Sequence, residues 1–386
     1  MNSKNKEQIT FLIVTFFAVL FLFVGNRIAS TNSAFSPFIH QALILPARVE
    51  TLQNREVEEL PMGNAVRITI TLDFQAVILR GERKGELVSA QQVNDSFLAV
   101  GYKEVEPGDK VLLYHLGFGE ENQWLMHEYI RSDTLLWLGV LFMAGLVLFG
   151  RRKGFHSVLA LSFTCLAIFV VFIPAILGKR NIYGATVVLI LYIAAVNLLL
   201  INGANTKSLA AGVGLLGGLF AAGAVFKVMD VLLKLTGYIN EESVYLIYLR
   251  PDNPIDLKAI LFAGIILGAL GATLDVAVSI ASALQEVRDS STSPTFGSLM
   301  QSGFHIGQDV LGTMTNTLVL AYIGSSLSLV LILIAYSDSL LELLNKEMIV
   351  VEILQSLAGS IGLLTAIPLT TAFSAYLYTR KGRAGL

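Results

Sequence analysis

Eight apolar runs set the rhythm of this chain. They cover Ile9–Ile28, Thr134–Gly150, His156–Gly178, Tyr183–Ile201, Ser208–Leu235, Leu257–Leu284, Phe304–Tyr336 and Val351–Thr379. About 20 helical residues cross roughly 30 Å of hydrocarbon, so each run is a predicted transmembrane helix, the second being short. Between the first two runs the pattern changes. Val66, Ile68, Ile70 and Leu72 alternate with Arg67, Thr69, Thr71 and Asp73, the period of a half-buried strand. Further short strands are predicted at Ala76–Leu79, Glu86–Ala90, Ser96–Val100, Lys110–Leu116 and Trp124–Ile130. Turn signals at Gly81–Gly85 and Pro107–Asp109 separate them.

Charge sharpens this division. Residues 30–133 hold 24 of the 56 charged residues, near the density of a soluble domain. The fold class expected is therefore an α-helical polytopic membrane protein with about eight spans. A small all-β domain, barrel or sandwich, is inserted after the first helix. The expected domains are an anchor at 1–29, the β-domain at 30–133 and seven helices at 134–386. Lys4 and Lys6 precede the first run and no clean cleavage site follows it, so it reads as an uncleaved anchor. Arg151, Arg152, Lys153, Lys207, Arg288, Arg380, Lys381 and Arg383 join Lys4 and Lys6 on one side of an eight-span map. By the positive-inside rule both termini are expected in the cytoplasm of a plasma-membrane protein, and the β-domain outside. A net charge of −2 gives no reason to expect a nucleic-acid partner. The single cysteine, Cys165, is expected to pack inside the third helix.

Polar residues inside apolar runs carry the candidate chemistry, because an ionisable group in hydrocarbon needs a partner or a wet cavity. Asp275, Ser279, Ser282 and Glu286 form one stripe on the sixth run, and His305, Asp309, Gly312 and Asn316, with Thr313 beside them, share a face of the seventh. Counted from the ends of those runs, Asp275 and Asp309 fall at similar depth, roughly 10 Å from the cytoplasmic edge. A buried carboxylate has a raised pKa and a close like-charged neighbour raises one of the pair further, so a pair at one height could exchange protons. Asp275, Asp309, Ser279, Ser282, Thr313 and Asn316 are the candidate ion or substrate residues. Glu286 and His305, nearer the edge, are secondary. The competing reading makes both Asp structural and the hydroxyls helix glue. Gly214 and Gly218 on the fifth run, and Gly264, Gly268 and Gly271 on the sixth, are expected to let helices approach closely. Lys227 and Asp230 are expected to pair on one helix.

No phosphate-binding loop, zinc-protease helix or nucleophile elbow occurs, so no enzyme, cofactor or metal is expected. Intramembrane aspartyl proteases also place two Asp on neighbouring helices. Here Thr273-Leu274 precede one Asp and Gly307-Gln308 the other, matching neither motif of that class, and the reading stays remote.

The runs Gly268-Ala-Leu-Gly-Ala-Thr-Leu-Asp-Val-Ala-Val-Ser-Ile-Ala-Ser-Ala-Leu-Gln-Glu286 and Gly303-Phe-His-Ile-Gly-Gln-Asp-Val-Leu-Gly-Thr-Met-Thr-Asn-Thr-Leu-Val-Leu-Ala-Tyr322 resemble the signature of the YibE/F-like multi-pass membrane proteins of bacteria. That resemblance implies a location and an architecture, and no catalytic residue. A looser likeness is to SecD/SecF and RND-type transporters, through Gly271, Asp275, Val278, Ile280 and Glu286, and through Asp309 with its following threonines. The function expected is a transporter-like permease with an intramembrane Asp pair as proton or cation site. The alternative is an envelope scaffold or assembly factor acting through the outer domain. The bilayer, a small ion or unidentified substrate, and a second membrane protein or second copy are the expected partners.

Overall fold

The computed structural model describes residues 3–30, 44–62, 65–96, 103–115, 124–239, 241–249, 253–291 and 294–383. The chain divides into two compact units, residues 36–145 and residues 1–35 with 146–386.

The smaller unit holds a closed five-stranded barrel. Its strands are β1 (Ile44–Met62), β2 (Ala65–Ile78), β3 (Leu87–Asp95), β4 (Lys110–His115) and β5 (Trp124–Tyr129), in the order β1-β2-β3-β5-β4. All pairs are antiparallel except β3 with β5. Ala47, Val49, Phe74, Ala76, Ile78, Val88, Ala90, Val111, Leu113 and Trp124 fill the interior from alternate positions. Gln92, itself buried, donates to the Lys103 carbonyl at 3.0 Å and accepts from the Val105 N–H at 2.9 Å. That amide holds Val105 against the core. Gly81, Gly85 and Gly108 take positive φ at the two turns marked in the sequence.

The strand expectations for this unit need correction. β1 was not foreseen, and Ala76–Leu79 is the end of β2 rather than a separate strand. Residues 50–61 of β1 are exposed throughout; Thr51–Pro61 pair with Val66–Gln75 of β2, and the far part of this ribbon runs past the core. Val66 and Ile68 are therefore exposed, and of the alternating set only Leu72 is buried. Of the strand expected at Ser96–Val100, Ser96 is a turn residue and the rest lies outside the described residues.

Arg67 Nε donates to Asp95 at 2.8 Å, and Arg55 forks onto Glu104 at 2.8 and 3.0 Å. The Arg55 hydrogen bond holds the Glu104 carboxyl below its ordinary value. A depressed carboxylate contributes stability above its unfolded pKa and loses it as pH falls through the folded value. Arg55→Gln is therefore expected to move the acid unfolding of the barrel to higher pH, by a small amount because the pair is exposed. Trp124 fluorescence against pH in the intact protein checks this.

The larger unit is helical: α1 (Ser3–Ser30), α2 (Ser132–Leu166, shared with the other unit), α3 (Ile173–Leu177), α4 (Ile182–Asn202), α5 (Thr206–Leu232), α6 (Glu241–Tyr248), α7 (Leu257–Ser290), α8 (Phe296–Ser325), α9 (Leu327–Ala335), α10 (Leu340–Asn345) and α11 (Glu347–Arg383). A π-helical turn, Ala167–Phe172, joins α2 to α3 just before Pro174. Side-chain caps start several helices as the sequence chemistry requires: Asn181 for α4, Asn205 for α5, Asp256 for α7, and a Thr295–Ser298 capping box for α8.

Among the described residues six helices are long and apolar enough to cross a membrane, and α8 with α9, bent by 61° at Ser326, makes a seventh if the pair is one span. The longest, Ser132–Leu177, has 46 residues. Its helix is broken at Arg151, with φ 48° and ψ −123°. A Cβ on Gly154 would overlap the Leu146 carbonyl. Eight residues apart in a straight helix would be about 12 Å, so the chain doubles back here. The hydropathy pattern predicts two runs, Thr134–Gly150 and His156–Gly178, where this one long apolar helix with its break at Arg151 is found.

Packing within this unit centres on α5, α7, α8 and α11. Gly218 brings α5 onto α11: its Cβ would stand 2.6 Å from the Gly362 carbonyl and 2.9 Å from Thr273 Cγ2. At Gly214 a Cβ would overlap Thr370 Oγ1. Glu347 accepts from the Thr236 and Gly237 amides, each at 2.7 Å, and fixes the start of α11 to the loop after α5. The expected Lys227–Asp230 pair is replaced. Asp230, buried, meets Lys258 of α7 at 3.0 Å, while Lys227 lies over the Tyr183 ring at 5.4 Å. Cys165 is exposed on the helix surface rather than packed.

Candidate functional site

α7 and α8 run side by side. Leu284 of α7 lies 3.1 Å from the Cβ position of Gly303 on α8, and a Cβ on Gly268 would overlap the Tyr322 hydroxyl. Between those two contacts, interpolation sets Asp275 at the height of Thr313–Met314 and Asp309 near that of Ser279. The two positions are thus a little over one helical turn, ~6–7 Å, apart along the axis. The equal depth expected from the run ends is corrected because both helices extend further than the runs. α7 continues to Ser290 and α8 begins at Phe296.

Rotation turns both off the buried side of their helices. The buried line of α8 is Leu299, Gly303, Gly307 and Leu318, with Gly307 against Ile367 of α11. Asp309 is two residues on, about 200° round the helix, and so looks away from α11. Asp275 lies beside the buried Val276 and is exposed on its own flank of α7. Among the described residues, no hydrogen bond or ion pair joins either carboxylate to another group. The structure leaves them as two neighbouring acids on open faces.

The other candidates follow the same faces. His305, Asp309, Gly312, Thr313 and Asn316 are all exposed on α8, together with Gln308, giving an uncovered polar face more than three turns long. Thr313 Oγ1 donates to the Val310 carbonyl at 2.9 Å and Ser282 Oγ to the Val278 carbonyl at 2.6 Å, so both hydroxyls bond within their own helix. Ser279 and Glu286 are exposed on α7. Of the packing glycines, Gly214, Gly218 and Gly268 lie where another helix touches them. Among the described residues Gly264 and Gly271 meet nothing within 4 Å, and they share the open flank with Asp275. Among the described residues no three His, Cys, Asp or Glu side chains gather as a metal site.

One polar group was missed. Thr273 of α7 and Thr370, Thr371 and Ser374 of α11 are fully buried, and their hydroxyls have no hydrogen-bond partner among the described residues. They surround the glycine contacts: Thr370 at Gly214, Thr371 at Gly303, Thr273 at Gly218. The signal was present in Pro368, inside α11, followed closely by two threonines. Proline supplies no N–H, so the Leu364 carbonyl lacks its helical donor and this turn of α11 is polar inside the bundle.

No curated protein and no solved structure matches the chain. The likeness to SecD/SecF and RND-type transporters accordingly stays with the sequence alone. The profile of one family does match, over residues 138–380, which takes in both α7 and α8 with their open polar faces. The chain belongs to the YibE/F-like protein family.

Proposed function

We propose that this is a membrane permease in which Asp309, with Asp275 a little over one turn away, takes up and releases a proton or small cation. The observation that carries the reading is the open face of α8, where His305, Gln308, Asp309, Thr313 and Asn316 lie exposed on a largely apolar helix. A carboxylate facing lipid costs several kcal/mol, so in a bilayer such a face borders a water-filled groove or a second chain. Bound to a proton or a cation, Asp309 loses its charge and the cost falls. Alternation between those states is the elementary step of ion coupling. The bend between α8 and α9 supports the same reading, because transporters build their sites on broken helices that move as separate halves.

The test is proton or sodium flux in reconstituted vesicles. Asp275→Asn is expected to reduce flux about tenfold or more while membrane insertion and the Tm of the purified protein stay unchanged. Wild-type flux in that variant refutes a role for Asp275.

A second reading rests on the barrel, which is a compact unit with its own core. As an envelope scaffold, the protein would act through residues 36–130, and both Asp→Asn variants would be silent in cells. Removal of those residues separates the two, since an anchored scaffold loses its phenotype and a permease retains residual flux.

A further inference from the structure

An apolar cleft lies between α1, the π-helical turn and α4, far along the chain from α7 and α8. Its volume is about 530 Å³ and its walls include Phe17, Phe21 and Val24 of α1, Val171 and Phe172 of the turn, and Leu189 of α4. That size is within the range of small-ligand sites. Along α1 the lining runs from Phe17 to Ala29. Those twelve steps are about 18 Å, slightly over half of a ~30 Å hydrocarbon layer, or one leaflet. The π-helical turn opens the wall, because Pro174 offers no N–H to the turn before it.

One end of the cleft is basic. Arg180 lines it, just before the first turn of α4, and donates through Nη2 to the Ile28 carbonyl at 2.9 Å. A guanidinium has five donor hydrogens, so this bond leaves most of its fork for a ligand. Arg27 and Lys179 are at the same end, and among the described residues none of the three cations enters an ion pair. The start of α4 adds a positive dipole end. A long apolar slot of one-leaflet depth, closed by cations at its interfacial end, has the shape and polarity of a lipid rather than of a soluble metabolite.

We infer that this cleft binds one acyl chain of an anionic glycerophospholipid, with the phosphate on Arg180. Basic pockets between transmembrane helices recognise such headgroups. The inference needs the helices to lie in a bilayer and is independent of any ion flux, so its failure leaves the permease reading untouched.

The experiment uses the intact protein in detergent, with phosphatidylglycerol and phosphatidylcholine added separately. Native mass spectrometry counts bound lipid, and thermal shift reports its effect. Wild type is expected to retain one phosphatidylglycerol about fivefold more tightly than phosphatidylcholine, the worth of one basic side chain near an anionic head. Arg180→Gln should abolish that preference and Arg180→Lys should keep part of it. Gly184→Leu fills the cleft from α4, where a Cβ meets only Asn181, and gives α4 a better helix former. This variant should fold normally and lose the tightly held lipid of either kind. Equal retention of the two lipids by wild type would overturn the headgroup assignment. Wild-type lipid binding in Gly184→Leu, or a thermal shift from inorganic phosphate as large as that from phosphatidylglycerol, would overturn the cleft.

Discussion

Asp309→Asn is expected to abolish ion-coupled flux, to at most about a tenth of the wild-type rate, with the protein still inserted and folded. The reasoning is electrostatic. Asn keeps the volume and the hydrogen-bonding reach of Asp, but it cannot take up a proton or neutralise a cation. Among the described residues Asp309 makes no hydrogen bond or ion pair, so its replacement breaks no described helix contact. Asp309→Glu keeps the carboxylate on a longer stem and is expected to retain a measurable fraction of the rate. His305→Gln, one turn earlier on the same face, should have a smaller effect because His305 is nearer the helix start. Flux in reconstituted vesicles, with and without a pH gradient, ranks these variants. Wild-type flux in Asp309→Asn would remove the ion site from α8. Equal loss in the Asn and Glu variants would assign the position to shape rather than to charge.

Gly218→Leu is expected to prevent assembly of the helical bundle, at a cost of about 3 kcal/mol or more, the upper end for overpacked interiors. Here the opposing atom is a backbone carbonyl, that of Gly362, 2.6 Å from the Cβ position, and backbone cannot rotate aside as a side chain can. Thr273 Cγ2 and Ala366 Cβ close the other approaches at 2.9 and 3.0 Å. Gly218→Ala meets the same carbonyl and should show a weaker form of the defect. Gly264→Leu, on the open flank of α7, serves as the contrast, since nothing lies within 4 Å of its Cβ position. Thermal unfolding in detergent, or yield of monodisperse protein, reads the order Gly218→Leu, Gly218→Ala, Gly264→Leu from worst to least affected. A Gly218→Leu protein as stable as wild type would show that α5 and α11 do not meet backbone to backbone.

The two units differ in how far their sequences could be read. The spans were legible because composition alone marks a hydrocarbon-crossing helix, and Gly214 with Gly218 announced a close approach through spacing. The outer part of β1 was not legible. Leu52, Val57 and Leu60 are exposed on a ribbon with no core beneath it, so burial imposed no alternation on residues 50–61. The acid pair was legible as residues and not as geometry. Apolar run ends misjudged α7 and α8 by several residues, because Glu286, Arg288 and Asp289 continue one helix past the run, while Thr295 and Ser298 start the other well before Phe304. Rotation about α8 was beyond reach without knowing that α11 covers Gly307. The buried hydroxyls of α11 were hidden for a related reason: threonine counts as neutral in hydropathy, and only the partner glycines reveal that its side chain is enclosed.

In a bilayer the reversal at Arg151 would govern parity. Without it, Ser132–Leu177 would be one crossing and the C-terminus would emerge opposite the N-terminus. Doubling back at one non-helical residue, with a glycine where the returning helix brushes the outgoing one, would add a crossing if both arms span the bilayer. Every later loop would then exchange sides, and head and tail would face one compartment. On that reading a single backbone angle sets the parity of every element after it.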